Sequence, residues 1–435
     1  MPKPKQKPKP KANSDIYILE KLLQTYEKHC MLSQTCASPT IKKGLQKCIA
    51  NGTLITKFVL TNVETLSGNL HPVSLTPLLR AIRDERYQLG KDLCIWGIKT
   101  SPQDIANLAI LLELDGRTIY PFSKLEITHQ VLDRWSTERL GVALPYSNLS
   151  TLVLDYSKCG DDGISRLTSG LEGNGKLLTL SLCYCDLGPA SGTTLAKLVT
   201  QTAISSPKAE NKCPPLNRLF LVAMKLCTCN LTSSLSNLFL NGNCLQCLGA
   251  TELLKPIAEY AEKLGQEKKA NDLAYSNLDE KKDATIQSKD VSLVTKSKNK
   301  TSTAMESIGK KKKKKGFKKR SKNPGLGPWL AKLHLADNAI DGRFNQREKN
   351  LWEFILLLAC LIKNSHPLVE VDINGNAIGE QCAIKILEAL QDRKKEGMPH
   401  LKIQVTPQIS SVTFEEIFRS CLKTSQIKKR KKKTK

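Results

Sequence analysis

Apolar and polar positions follow the same order twice between Leu149 and Gly188. Leu149-x-x-Leu152-x-Leu154-x-x-Ser157-x-Cys159 returns as Leu177-x-x-Leu180-x-Leu182-x-x-Cys185-x-Leu187, offset by 28 residues without a gap. The period-two alternation predicts a short strand in each copy, and the tails carrying Gly163, Leu167 and Leu171, then Gly192, Leu195 and Val199, predict a helix after each. Weaker strand pairs precede them at Phe58 and Leu60, Leu93 and Ile95, and Leu125 and Ile127. Others follow at Leu219 and Leu221, and at Leu238 and Leu240, the last two pairs only 19 residues apart. That gap leaves no room for a full helix, so the unit either has a short connector or is degenerate. The polar stretch Ser205 to Pro215 reads as a loop between repeats.

Near Gly265 the pattern stops, and residues 265–327 show no sustained period. It resumes as Leu330-x-x-Leu333-x-Leu335-x-x-Asn338-x-Ile340 and Leu368-x-x-Val371-x-Ile373-x-x-Asn376-x-Ile378. Resumption in the same grammar points to an insertion looped out of one array; a separate second domain is the alternative. A last strand is expected over Leu401 to Val405. Helices are expected from Ser14, with Leu19, Leu22, Leu23 and Tyr26 on one face, and from Pro39 to about Asn51 before Gly52. Another opens at Ser101-Pro102-Gln103-Asp104, where serine, proline and acid stand at N-cap, first and third positions. Thr413-Phe414-Glu415-Glu416 reads as a capping box for a final helix with Phe414, Ile417, Phe418, Cys421 and Leu422 in phase.

The two central copies and Leu238-x-Leu240-x-x-Asn243-x-Leu245 resemble the ribonuclease-inhibitor type of leucine-rich repeat. That resemblance implies an α/β solenoid, a horseshoe of about nine or ten repeats with helical caps, and a binding scaffold rather than an enzyme. The expected organisation is a basic tail over 1–12, a helical cap over 13–52, repeats over 53–264, a disordered lysine-rich insertion over 265–327, repeats over 328–408, a cap helix over 409–427 and a basic tail over 428–435. In the repeats the intervening strand residues turn to the concave face in three columns. One holds Glu126, Val153, Ser181, Phe220, Phe239, His334 and Asp372; a second holds Thr128, Asp155, Cys183, Val222, Asn241, Ala336 and Asn374; a third holds His129, Tyr156, Tyr184, Ala223, Gly242, Asp337 and Gly375. The partner-binding residues expected from them are Glu126, His129, Asp155, Tyr156, Tyr184, Phe220, Phe239, His334, Asp337 and Asp372, with the aromatic rings as anchors.

The formal net charge of +26 changes little in the fold itself. Residues 1–12 hold five lysines, residues 296–322 hold thirteen basic residues against Glu306, and residues 428–435 hold seven, so the basicity belongs to appendages. Lys310, Lys311, Lys312, Lys313, Lys314, Lys315, Lys318, Lys319, Arg320, Lys429, Arg430 and Lys431 are the expected docking residues for an acidic polymer such as tubulin tails, or for RNA. Splitting of the array by a lysine-rich segment is similar to some ciliary and axonemal leucine-rich-repeat proteins, which implies cytoplasm and cilium. A nuclear or nucleolar RNA-associated protein is the alternative.

The amino-terminal MPKPKQKPKPKA lacks an apolar signal core, so the fifteen cysteines are expected reduced. The spacings Cys183-x-Cys185, Cys227-x-Cys229 and Cys244-x-x-Cys247 match zinc ligands weakly, since the repeat frame turns some inward and others outward. No metal, cofactor or membrane span is expected; the apolar run Leu351 to Ile362 is too short to cross a bilayer. HExxH, GxSxG and GxxxxGK[ST] are missing from the sequence, and no catalytic residue is assigned.

Overall fold

The computed structural model describes residues 12–61, 72–113, 122–171, 176–200, 234–283, 330–342, 345–406 and 408–421. Nine strands form one parallel sheet in sequence order: β1 (Lys57–Thr61), β2 (Asp92–Trp96), β3 (Lys124–Thr128), β4 (Thr151–Val153), β5 (Thr179–Ser181), β6 (Asn237–Phe239), β7 (Lys332–His334), β8 (Glu370–Asp372) and β9 (Lys402–Gln404). Each carries the period-two pattern. Phe58 and Leu60, Leu93 and Ile95, Leu125 and Ile127, Leu152 and Leu154, Leu180 and Leu182, Leu238 and Leu240, Leu333 and Leu335, Val371 and Ile373, and Ile403 and Val405 are all buried on one face. The pairing register puts these leucines and their equivalents opposite one another from strand to strand, as in Leu125↔Leu152 and Leu152↔Leu180.

Helices cover that face: α1 (Ala12–Leu32), α2 (Pro39–Asn51), α3 (Thr76–Asp84), α4 (Pro102–Glu113), α5 (Arg134–Ala143), α6 (Gly160–Ser169), α7 (Ala190–Thr200), α8 (Gln246–Asp283), α9 (Asn345–Asn364), α10 (Glu380–Lys395) and α11 (Ser411–Ser420). The result is an α/β solenoid. α1 packs on α2 and α3, and α2 lies against β1. α2 ends where Gly52 takes the left-handed conformation, at φ 62°. At α4 the expected capping box forms: Ser101 N donates to Asp104 Oδ2 at 2.9 Å and Asp104 N donates to Ser101 Oγ at 3.1 Å. The apolar run Leu351 to Ile362 lies within α9, with Phe354, Ile355, Leu358 and Ile362 fully buried, and among the described residues no helix is long and apolar enough to cross a membrane.

In the turns after β3 to β8 one side chain per turn bonds the backbone. Asn243 Nδ2 donates to Leu182 O and Leu240 O, both at 2.8 Å, while its Oδ1 accepts from Cys185 N and Leu187 N. Asn376 does the same between Leu335, Ile373, Asn338 and Ile340. Where the sequence has other residues the work is shared: Ser157 Oγ donates to Ile127 O, Cys185 Sγ to Leu154 O, and the buried Gln130 bonds Ile98 and Thr100. These side chains satisfy peptide groups that would otherwise be orphaned in the core.

Three expectations need correction. β5 pairs directly with β6, Leu180 opposite Leu238, so no strand carrying Leu219 and Leu221 stands between them. Nineteen residues cannot supply a strand, a helix and a return, and residues 201–233 lie outside the described set. α8 continues past Gly265 to Asp283, because the lysine- and glutamate-rich stretch after it is made of good helix formers. α11 lies within the expected 409–427, but its N-cap is Ser410, whose side chain accepts from Thr413 N, and not Thr413; Phe414 and Phe418 are exposed and only Ile417 of that expected apolar stripe is buried. Leu422 lies outside the described residues, as do the basic stretches at 1–11, 284–329 and 422–435.

Candidate functional site

The sheet face turned away from the helices is built of the residues between the buried leucines. Register sets one row as Cys94, Glu126, Val153, Ser181, Phe239, His334, Asp372 and Gln404. Phe220 has no place in it, because Ser181 and Phe239 are direct neighbours. Phe220, Lys310, Lys311, Lys312, Lys313, Lys314, Lys315, Lys318, Lys319, Arg320, Lys429, Arg430 and Lys431 all lie outside the described residues.

One row further along the strands, Asp155 Oδ1 accepts from Ser181 Oγ at 2.6 Å and from Cys183 N at 2.9 Å, and Asn241 Oδ1 accepts from Ala336 N at 2.9 Å. These side chains extend the ladder where the strands end. The next row is left-handed throughout: Gly97 (φ 64°), His129 (60°), Tyr156 (57°), Tyr184 (56°), Gly242 (69°), Asp337 (52°) and Gly375 (72°). Bulky side chains are rare in that conformation, which costs an L-residue about 1–2 kcal/mol. Yet three of these rings form one stack. His129 and Tyr156 lie 4.8 Å apart at 9°, and Tyr156 and Tyr184 lie 4.7 Å apart at 3°. The ring of Tyr184 then covers Gly242, where any Cβ would overlap its Cε1. Tyr156 is 48% exposed and Tyr184 42%. The Tyr184 phenol is held above its ordinary value by desolvation and by the Asp337 carboxylate.

At the other end of the strands stands a row absent from the expected site: Lys57, Asp92, Lys124, Thr151, Thr179, Asn237, Lys332, Glu370 and Lys402. Glu370 pairs with Lys402 at 2.6 Å and Lys332 at 3.0 Å, and these contacts, Lys402 foremost, pull its carboxyl down to about 2. Burial works to raise Glu126, but hydrogen bonds from Lys124, Cys94 and Trp96 hold it below its ordinary value. Trp96 donates Nε1–H to Glu126 at 2.9 Å and lies 5.6 Å beneath the Lys57 ammonium. Phe239 meets His334 edge-on at 4.6 Å, and burial pushes the His334 imidazole down, against the pull of Asp372 and Glu370. The signal for Lys57, Lys332, Glu370 and Lys402 was their place two residues before the middle row. The signal for Trp96 was its place one residue before the left-handed Gly97 in a repeat lacking the turn asparagine.

The cysteine set divides: Cys185 and Cys247 are buried, Cys183 is half-buried on the open face and Cys244 is exposed, while Cys227 and Cys229 lie outside the described residues. Among the described residues no three metal-ligating side chains converge. Burial lifts the Cys94 thiol to about 12, and burial with the Asp155 charge raises Cys183, so both are protonated at neutral pH. What the face offers is aromatic area, fixed carboxylates and paired lysines. Neither protein-family models nor curated proteins show a match to the chain.

Proposed function

We propose that the chain is a leucine-rich-repeat protein of the ribonuclease-inhibitor type, a horseshoe closed at its ends by α1–α2 and α11, that binds another protein on its open face and catalyses nothing. The observation that carries this reading is the stack of His129, Tyr156 and Tyr184, three exposed rings kept in a costly backbone conformation where Gly97, Gly242 and Gly375 avoid the cost. Rigid, half-wet aromatics supply contact area at low entropic cost. Phe239, His334 and Asp372 continue the surface, and the basic appendages raise the encounter rate with an acidic polymer such as tubulin in the cytoplasm or cilium.

Capture from a ciliated-cell extract with the full chain, beside a Tyr156→Gly/Tyr184→Gly/Phe239→Ala variant of equal melting temperature, tests the face. Specific proteins retained by the wild type are expected to be lost by the variant. Identical sets would sink the open-face reading. Deleting 296–322 is expected to weaken binding to polymerised tubulin, in a salt-dependent manner, with the thermal transition intact; retention of RNA in place of tubulin would favour a nuclear role.

A further inference from the structure

Several carboxylates elsewhere in the fold are matched with cations, and others, such as Asp104 and Asp161, are held by hydroxyls and backbone N–H groups instead. Glu113 pairs with Arg139, Glu126 with Lys124, Glu370 with Lys332 and Lys402, and Asp392 with Lys363. Around the aromatic stack three carboxylates stand without a cation among the described residues. Asp155, Asp186 and Asp337 form no ion pair among the described residues, although the chain carries 67 lysines and arginines against 41 acids. The cations on the same turns, Lys99 and Lys158, are exposed and pair with none of the three. Asp155 is fixed by Ser181 and Cys183 through Oδ1 alone, leaving Oδ2 for a further donor. Asp337 lies close enough to influence the Tyr184 phenol, and Asp186, itself left-handed at φ 64°, is exposed two residues beyond Tyr184.

The stack also has an open end. Tyr184 closes one end over Gly242, but at the other the free face of His129 looks toward Gly97, where a Cβ would meet nothing within 4 Å. Its rungs, 4.7 and 4.8 Å apart, repeat the spacing of hydrogen-bonded strands, about 4.8 Å. A planar group at the Gly97 rung continues it. Parallel rings at 3° and 9° do not enclose a tetrahedral ammonium as rings set at right angles would; they accept a flat cation in series.

From the open rung, the parallel rings and the unmatched carboxylates we infer that this edge of the face binds an arginine-bearing basic segment of the partner protein. One guanidinium stacks on His129, and further cationic side chains meet Asp155, Asp186 and Asp337. Five rungs separate Gly97 from Asp337, roughly 24 Å at the strand spacing, a reach of about seven extended residues. Single-stranded nucleic acid also stacks on aromatics, but its phosphates need a basic groove, and the carboxylates here oppose them.

The inference rests on the open-face reading and is tested separately from it. Fluorescence anisotropy of the full chain with a seven-residue peptide carrying four arginines, the same peptide with lysines, and a short single-stranded oligonucleotide decides it. Attraction to the overall +26 chain cannot produce the expected result, since net charge repels both peptides. The arginine peptide is expected to bind at least about tenfold more tightly than the lysine peptide, a difference of about 1.4 kcal/mol. Tyr156→Gly/Tyr184→Gly, which puts in the residue used at positions 97, 242 and 375, and Asp155→Asn/Asp186→Asn/Asp337→Asn are each expected to cost tenfold or more, while Glu370→Gln costs nothing. Equal binding of the two peptides, or indifference to both sets of substitutions, overturns the inference. So does oligonucleotide binding that depends on Tyr156 and Tyr184. If neither peptide binds while extract proteins are still lost on the ring substitutions, the arginine assignment fails and the open-face reading stands; if neither responds, both fail.

Discussion

Gly242 and Tyr184 act as one unit: the glycine tolerates φ 69°, and the missing Cβ is where the tyrosine ring lies. Gly242→Ala therefore meets two costs, about 1–2 kcal/mol for an L-residue in the left-handed region and the displacement of the ring. Urea denaturation is expected to show a loss of about 2–4 kcal/mol in the single variant, reduced to the backbone part when Tyr184→Gly is added. Equal losses in the two would mean that the ring contact contributes nothing. Counting along the repeat places Tyr156 and Tyr184 side by side from the sequence alone. Their left-handed backbone was not legible there, because tyrosine carries no preference for positive φ; His129, Asp337 and the glycines do. The turn position was legible where it holds asparagine, at Asn243, Asn338 and Asn376. It was legible too at Ser157, aligned with Cys185, and hidden only where Gln130 bonds the backbone by a longer reach.

Among the elements, the last three strands are tied by Glu370 between Lys332 and Lys402. Its folded carboxyl titrates near 2 against an ordinary 4.5, so the stabilisation is present above pH 4.5 and disappears as pH falls toward 2. Thermal melts are expected to show the wild type losing stability across that window more steeply than Glu370→Gln; parallel curves would show that the pairing does not hold in solution. Strand existence was legible wherever two aliphatic core residues flank one residue of the open face, as in Leu152-Val153-Leu154 and Leu238-Phe239-Leu240, which is why β3 to β8 fall where expected. The pair Leu219 and Leu221 satisfies the same test and lies outside the described residues, while β5 pairs directly with β6; a local pattern does not report whether the neighbouring place in the sheet is already filled. The end of α8 was missed for the opposite reason: Gly265 costs about 1 kcal/mol in a helix, and the flanking helix formers override it. Small residues also set how closely helices approach. A Cβ on Gly192 of α7 would overlap the Gly249 carbonyl of α8, a constraint that two distant glycines do not announce in sequence.

At the scale of the molecule, most of the net charge is carried by three basic runs of the sequence. The described sheet has lysines at several strand starts of its open face and carboxylates with aromatics at the strand ends. Sequence made the first of these plain, since lysine runs need no fold to be counted. The second depends on register, and Lys57, Asp92, Lys332 and Glu370 became a row only once the strands were aligned.

The pairing of β6 with β7 joins Asn237 to Lys332 across the whole insertion. The strand bonds at that junction join residues 237–239 directly to residues 332–334. Cutting the chain once between residues 284 and 329 is expected to leave two polypeptides that hold together without a linker. Expressed as separate chains, residues 1–305 and 306–435 are expected to co-elute and to regain the helical circular-dichroism signal of the intact protein, whereas aggregation of either half in the presence of the other would refute it. The protein would then serve as its own complementation pair, its two fragments meeting along the β6–β7 strand edge, the turns after it and the contact of Cys360 with Ala258 of α8.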